Sequence, residues 1–281
     1  MRERKWTPRR PRPPAKGPRP SGQGGIGLRP ERRFRPAPRD PDGPAVLYGW
    51  HTVKAALENP QRRFRRLLAT ENAARRLAEG GLKLPMAPEL VRPEAIAAQL
   101  PPDAVHQGLL AEADRLPSPA IEDLPADGIV LALDQITDPH NVGAILRSAA
   151  AFGVAAVVIT ARHSPEATGV LAKSASGALE HIPIAEVGNL ARALDGLKAR
   201  GFLLVGLDSL GTADLAAVPL ASPLALVLGA EGKGLRQLTR TICHAVVRLD
   251  LPGAIKDLNV SNAAALALYI ATTRLKSPAA T

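Results

Sequence analysis

Three stretches of this 281-residue chain set polar side chains and glycines at spacings that chemistry can use. In the first, Asp138-Pro139-His140-Asn141-Val142-Gly143-Ala-Ile145-Leu146-Arg147, Asp138 suits a helix N-cap and Pro139 the first helical position. Val142, Ile145, Leu146 and Ala149 then recur at i, i+3, i+4 and i+7, the stripe of a helix that packs on a core. Gly143 and Arg147 fall off that stripe, one turn apart. A glycine there lets another backbone or a substrate approach beside a guanidinium, which stays charged at any ordinary pH. The same residues equally describe a capped helix with a surface arginine.

The second stretch is Gly229-Ala-Glu231-Gly232-Lys-Gly234. Its three glycines permit tight turning and close approach to a ligand, and they leave backbone N–H and C=O groups open for hydrogen bonding. A phosphate loop is one reading, but the pattern G-x-x-x-x-G-K-[ST] is absent. The third stretch, Leu249-Asp-Leu-Pro-Gly253-Ala-Ile-Lys-Asp-Leu258-Asn259-Val260-Ser261, ends in two residues that also suit a helix cap.

Each stretch follows an apolar run that suits a buried strand. Such runs occur at 129–133, 154–159, 202–206, 224–228 and 245–249, with helical patterns at 141–152, 189–199, 235–243 and 260–275. Alternation of this kind predicts a mostly parallel α/β sheet covered on both faces. Ligands in such sheets bind at the carboxyl ends of the strands, where all three stretches lie. Upstream, helical patterns at 50–57 and 72–77 and short strands at 66–69 and 108–111 form a smaller block. The expected organisation is a basic arm over 1–43, a small α/β block over 44–113, a linker over 114–127 and the main sheet over 128–281.

Charge is concentrated in the arm. Residues 1–43 hold thirteen Lys and Arg against four Asp and Glu, nine of the chain's net ten positive charges, and ten of its 27 prolines. Such a segment buries too little surface to offset its chain entropy, which predicts a disordered arm; its charge suits nucleic acid or merely solvates a tail. A single cysteine, Cys243, excludes a disulfide framework, and six histidines without ligand spacing give no reason to expect a metal. No run is long enough for a membrane helix and the start lacks an apolar signal core, so a cytoplasmic protein is expected.

In this order and at the ends of successive strands, the three stretches resemble the SpoU (TrmH) family of RNA ribose 2′-O-methyltransferases. They match its N-x-x-x-x-x-R, G-x-E-x-x-G and L-N-V-S signatures in full. Tyr48-Gly49-Trp50-His51-Thr-Val53 and Ala104-Val-His106-Gln107-Gly108 are similar to the substrate-binding domain of the RlmB branch, which methylates a guanosine of 23S rRNA. The resemblance implies a SPOUT fold, a parallel sheet with a C-terminal trefoil knot, working as a homodimer. It implies S-adenosyl-L-methionine as cofactor, held by backbone groups of Gly229, Leu249 and Leu258, with Leu207 beside them. Arg147 is then the residue at the 2′-hydroxyl, as a base or as a phosphate and oxyanion ligand. Asn141, Glu231, Asn259 and Ser261 shape the site by hydrogen bonding, with Glu231 holding Arg147 or Asn141. The implied partner is ribosomal RNA, either 23S rRNA or a large-subunit assembly particle. The alternatives are a tRNA ribose methyltransferase and a non-catalytic RNA-binding or assembly protein.

Overall fold

The computed structural model describes residues 43–162, 164–165 and 169–276. The expected basic arm lies, but for Gly43, outside the described residues.

The small block is built from β1 (Ala45–Tyr48), α1 (Trp50–Glu58), β2 (Phe64–Ala69), α2 (Glu71–Glu79), β3 (Glu89–Leu90), α3 (Pro93–Ala97) and β4 (Leu109–Ala113). Its four strands lie in the order β1-β4-β2-β3, with β4 antiparallel to both β1 and β2 and β3 parallel to β2. The helices and strands expected here are present, within a few residues at their ends. Strands β1 and β3 add to them; β3 has two exposed residues and exists only through its pairing with Leu68 and Ala69.

The main sheet follows: β5 (Ile129–Asp134), α4 (Pro139–Ala151), β6 (Ala156–Thr160), α5 (Gly169–Ala175), β7 (Ile184–Val187), α6 (Leu190–Ala199), β8 (Leu203–Leu207), β9 (Ala213–Asp214), β10 (Leu224–Gly229), α7 (Gln237–Ile242), β11 (Ala245–Arg248) and α8 (Val260–Lys276). Seven strands run in the order β7-β6-β5-β10-β8-β11-β9, and every pairing is parallel. The apolar runs are continuous because both faces are covered. Ile129, Leu131 and Leu133 pack with Val142, Ile145 and Leu146 of α4 and with Leu268 of α8. Val130 and Ala132 face the other way, into a cluster with Leu190 and Leu194 of α6 and Ile242 of α7.

Helix α4 starts as its sequence dictates. The Asp138 carboxylate accepts the His140 N–H at 2.9 Å, and Pro139 opens the first turn. Segment 114–127 is anchored rather than loose: Ile121 and Leu124 are buried, and their carbonyls accept from the Arg200 guanidinium. The small sheet is fastened to the large one by Arg62, whose guanidinium meets Glu180 in a two-pronged ion pair with both side chains only 2% exposed. Asn59 Nδ2 also donates to Glu180, and Thr52 Oγ1 donates to the Ala172 carbonyl.

Candidate active site

Parallel pairing fixes which residues share the carboxyl edge of the sheet. Gly229 at the end of β10 is level with Asp134 at the end of β5, and Leu228 is level with Leu207 of β8. Asp208 therefore stands beside Gly229 on the side opposite Asp134. A cavity of about 440 Å³ opens at this edge, within the roughly 300–1,000 Å³ of small-molecule and cofactor sites. Leu207, Gly229, Leu249 and Leu258 all line it, together with Asp208 and Glu231.

The loop after β10 folds back on itself as a cradle. The Gly234 N–H reaches the Ala230 carbonyl at 2.8 Å, and Gly234 sits at φ +64°. A Cβ on Gly229 would lie 2.3 Å from the Gly234 carbonyl carbon, and a Cβ on Gly234 would lie 2.3 Å from Asp208 Oδ2. Backbone therefore passes where any side chain would block it.

Two buried carboxylates hold this cradle down. Asp208 accepts the Leu235 N–H at 2.8 Å, the Leu210 N–H at 2.9 Å and Arg240 Nη2 at 2.6 Å. Burial alone would raise its pKa. The Leu235 and Leu210 N–H groups and the Arg240 guanidinium outweigh burial and hold it below the usual carboxylate range. On the other side Asp134, fully buried, accepts the Arg236 N–H at 3.1 Å and Arg236 Nε at 2.6 Å. Neither carboxylate was anticipated as a site residue. The available signal was an Asp closing an otherwise apolar strand, where only a satisfied charge is tolerated.

The polar residues of the first and third stretches meet beside the cavity. Asn259 Nδ2 donates to Asn141 Oδ1 at 3.0 Å, while Asn259 Oδ1 accepts the Ser261 N–H at 2.9 Å and its hydroxyl at 2.6 Å. Asn259 thus caps the start of α8 and reaches α4 at once. Its chain neighbours Leu258 and Val260 both line the cavity, so the trio stands at the rim. Arg147 is exposed on α4 and, among the described residues, makes no hydrogen bond or ion pair. What approaches Gly143 is α5: an added Cβ would lie 2.4 Å from Ser174 Cβ and 2.8 Å from the Ala175 N. Glu231 lies on the cavity wall, exposed, and makes no hydrogen bond to Arg147 or Asn141 among the described residues. The structure brings Asn141, Asn259 and Ser261 together and gathers Leu207, Gly229, Glu231, Leu249 and Leu258 around one cavity.

A doubly covered parallel sheet with a glycine cradle and a polar rim at its carboxyl edge defines a small-molecule-binding α/β enzyme fold. The family model of the SpoU rRNA Methylase family matches residues 128–269, and that for RNA 2′-O ribose methyltransferase substrate binding matches residues 46–119. The chain belongs to the SpoU rRNA methylase family. It is 36% identical over 234 residues to the 23S rRNA (guanosine-2′-O-)-methyltransferase RlmB of Pseudomonas putida, covering 79% of this chain and 94% of that protein. With the RlmB of Pectobacterium atrosepticum it shares 37% identity over 233 residues, 80% of this chain and 96% of the relative. Among solved structures, the SpoU methyltransferase AviRb from Streptomyces viridochromogenes matches with a TM-score of 0.70 at 25% identity, covering 83% of this chain and 90% of AviRb. AviRb has also been solved in complex with the cofactor AdoMet. No helix among the described residues is long and apolar enough to cross a membrane.

Proposed function

We propose that this chain transfers a methyl group from S-adenosyl-L-methionine to the ribose 2′-hydroxyl of a guanosine in 23S rRNA. The observation that carries this reading is the Asn141–Asn259 hydrogen bond at the rim of a glycine cradle, with Arg147, which has no side-chain partner among the described residues, on the same helix as Asn141. Relatives that match over nearly their whole length and carry that activity in their names supply the substrate.

The cavity fits the cofactor. Gly229 and Gly234 let the loop pack tightly on itself and against Asp208 at the cavity wall, and Leu207, Leu249 and Leu258 present backbone groups and apolar surface to a flat ring. Glu231 and Asp257 line it as exposed carboxylates with no cation partner among the described residues, which suits a ligand of net positive charge. When bound, the sulfonium supplies an already activated methyl group. The protein's own work is then to align a weakly acidic hydroxyl and stabilise the charge that develops on it. Arg147 is suited to both, gripping the adjoining phosphate and compensating the oxyanion; a guanidinium, planar and persistently charged, is built to donate hydrogen bonds rather than to take a proton. Asn141, Asn259 and Ser261 fix the rim against which the ribose is set.

Three further features follow from this reading. The chain between β8 and β10 crosses β11, with the Asp208, Thr212 and Leu215 N–H groups on the Val247, Val246 and Arg248 carbonyls, and the tail then returns as α8 against α4. That path supports a C-terminal trefoil knot. Exposed Ile255, Leu266 and Tyr269, on α8 and the loop before it, support a homodimer. Residues 44–113 serve as the RNA-binding unit and 128–281 as the catalytic one, joined by 114–127, with 1–43 as an accessory basic arm and the cytoplasm as the place of work. The test is label transfer from S-adenosylmethionine to unmodified 23S rRNA and, separately, to tRNA. Label in 23S rRNA supports the reading; label in tRNA alone keeps the chemistry and overturns the substrate.

A further inference from the structure

Three segments far apart in sequence converge where the small sheet meets α5. Lys173 Nζ lies 3.0 Å from Gln107 Oε1, and the same oxygen accepts the Trp50 N–H at 3.0 Å. Gln107 holds φ +52°, a backbone conformation that residues with a Cβ rarely adopt, so its side chain is aimed by a strained turn rather than by chance. Gly49, at φ +88°, leaves room for the lysine: a Cβ there would sit 2.3 Å from Lys173 Nζ. The Tyr48-Gly49-Trp50-His51 and His106-Gln107-Gly108 stretches therefore shape the seat of one ammonium.

That ammonium is under-compensated. Among the described residues it has no carboxylate partner, only a neutral amide oxygen. Partial burial lowers its pKa below the usual ammonium value. Arg62, at the same seam, shows the contrast, since its buried charge is matched by Glu180. The next residue, Ser174, contacts His140 Nδ1 through its hydroxyl at 3.2 Å and fills the space beside Gly143. His140, Gly143 and Arg147 form an i, i+3, i+7 row along α4, so the lysine's seat adjoins the row that carries Arg147.

We propose that Lys173 is an RNA-phosphate ligand built into the seam between the two sheets, resting on Gln107 until the RNA backbone replaces that contact and is set in register with Arg147. Lysine binds phosphate as a point charge and each phosphate so neutralised releases counter-ions. The proposal rests on the RNA methyltransferase reading.

The test compares the full-length wild type with Lys173→Met, Lys173→Arg and Gln107→Glu. RNA binding is measured as a function of salt, alongside KM for RNA, affinity for S-adenosylmethionine and thermal midpoint. Lys173→Met is expected to raise KM for RNA and to flatten the log–log salt dependence by about 0.7–0.9. A fourfold rise in salt then costs the variant about threefold less affinity than it costs the wild type. Lys173→Arg keeps the slope. Gln107→Glu, which gives the ammonium a counter-ion without removing it, flattens the slope as Lys173→Met does. Cofactor affinity stays unchanged in all three. An unchanged slope and KM in Lys173→Met, or a lowered thermal midpoint with an unchanged slope, overturns the proposal while a methylating wild type keeps the enzyme reading. A wild type that binds and methylates no RNA overturns both.

Discussion

Asn259 and Asn141, 118 residues apart, are joined by a single amide-to-amide hydrogen bond of 3.0 Å that ties the start of α8 to the first turn of α4. The two residues do unequal work. Asn259 also caps α8 through Ser261, whereas Asn141 has no capping contact. Asn259→Ala is therefore expected to lower stability by about 1 kcal/mol and to cut methyl transfer at least tenfold. Asn141→Ala is expected to cut transfer similarly while leaving the thermal midpoint nearly unchanged. In the double variant the losses are less than additive, because either change alone breaks the pair; a double-mutant cycle on kcat/KM checks this.

Arg147, on the helix that carries Asn141, is an exposed guanidinium with no side-chain partner among the described residues. In the proposed mechanism its replacement by alanine removes charge stabilisation without touching the cavity wall. The expected loss in kcat is on the order of 10²–10³-fold, with affinity for S-adenosylmethionine retained in equilibrium binding. Arg147→Lys is expected to recover only part of it, since an ammonium keeps the charge but loses the planar fork.

Asp208 holds the glycine cradle only as a carboxylate. Its pKa is lowered in the folded protein, so the unfolded chain binds this proton more readily. The contribution to stability is complete above the ordinary Asp value of about 4 and is lost as pH falls through the lowered one. Asp208→Asn is expected to be less stable than the wild type at pH 7, to bind S-adenosylmethionine more weakly, and to lose less stability on acidification. Thermal midpoints between neutral and acid pH measure this.

Arg62 and Glu180 fasten the small sheet at the cost of desolvating both charges. Arg62→Ala strands the carboxylate and is expected to cost about 3–5 kcal/mol. Arg62→Met combined with Glu180→Leu removes both charges and is expected to recover most of that loss, as read from denaturant midpoints.

Cys243 is packed near Gly206 and Leu235, and burial together with the nearby Asp134 charge pushes its thiol pKa up to about 11. At pH 8 it stays protonated and shielded. Iodoacetamide is expected to label it slowly in the native protein and rapidly after unfolding.

The strands that position the site were legible because they are buried on both faces. Runs such as Leu224-Ala-Leu-Val-Leu-Gly229 have no other use in a chain so poor in aromatics. Helix α4 was legible from its cap, its proline and its stripe. What escaped depends on partners distant in sequence. The two-residue strand β9 exists only as a neighbour of β11. Helix α5, which carries Lys173 and Ser174, is seven residues of mostly small side chains, too short to show a clear apolar stripe. The role of Asp208 is set by Leu210, Leu235 and Arg240, and that of Gln107 by Trp50 and Lys173. Asn141 and Asn259 were recognisable as polar site residues by type, but their bond to each other is a product of the fold alone.

Alkali separates methylation of a ribose oxygen from methylation of a base. A 2′-O-methyl group removes the nucleophile that cleaves the neighbouring phosphodiester. The most direct measurement incubates full-length protein with labelled S-adenosylmethionine and unmodified 23S rRNA, then digests the RNA completely with alkali. Label is expected in a single alkali-resistant dinucleotide beginning with guanosine, its rate of appearance cut on the order of 10²–10³-fold by Arg147→Ala. Label recovered in mononucleotides, or undiminished transfer by Arg147→Ala, would contradict the proposed reaction.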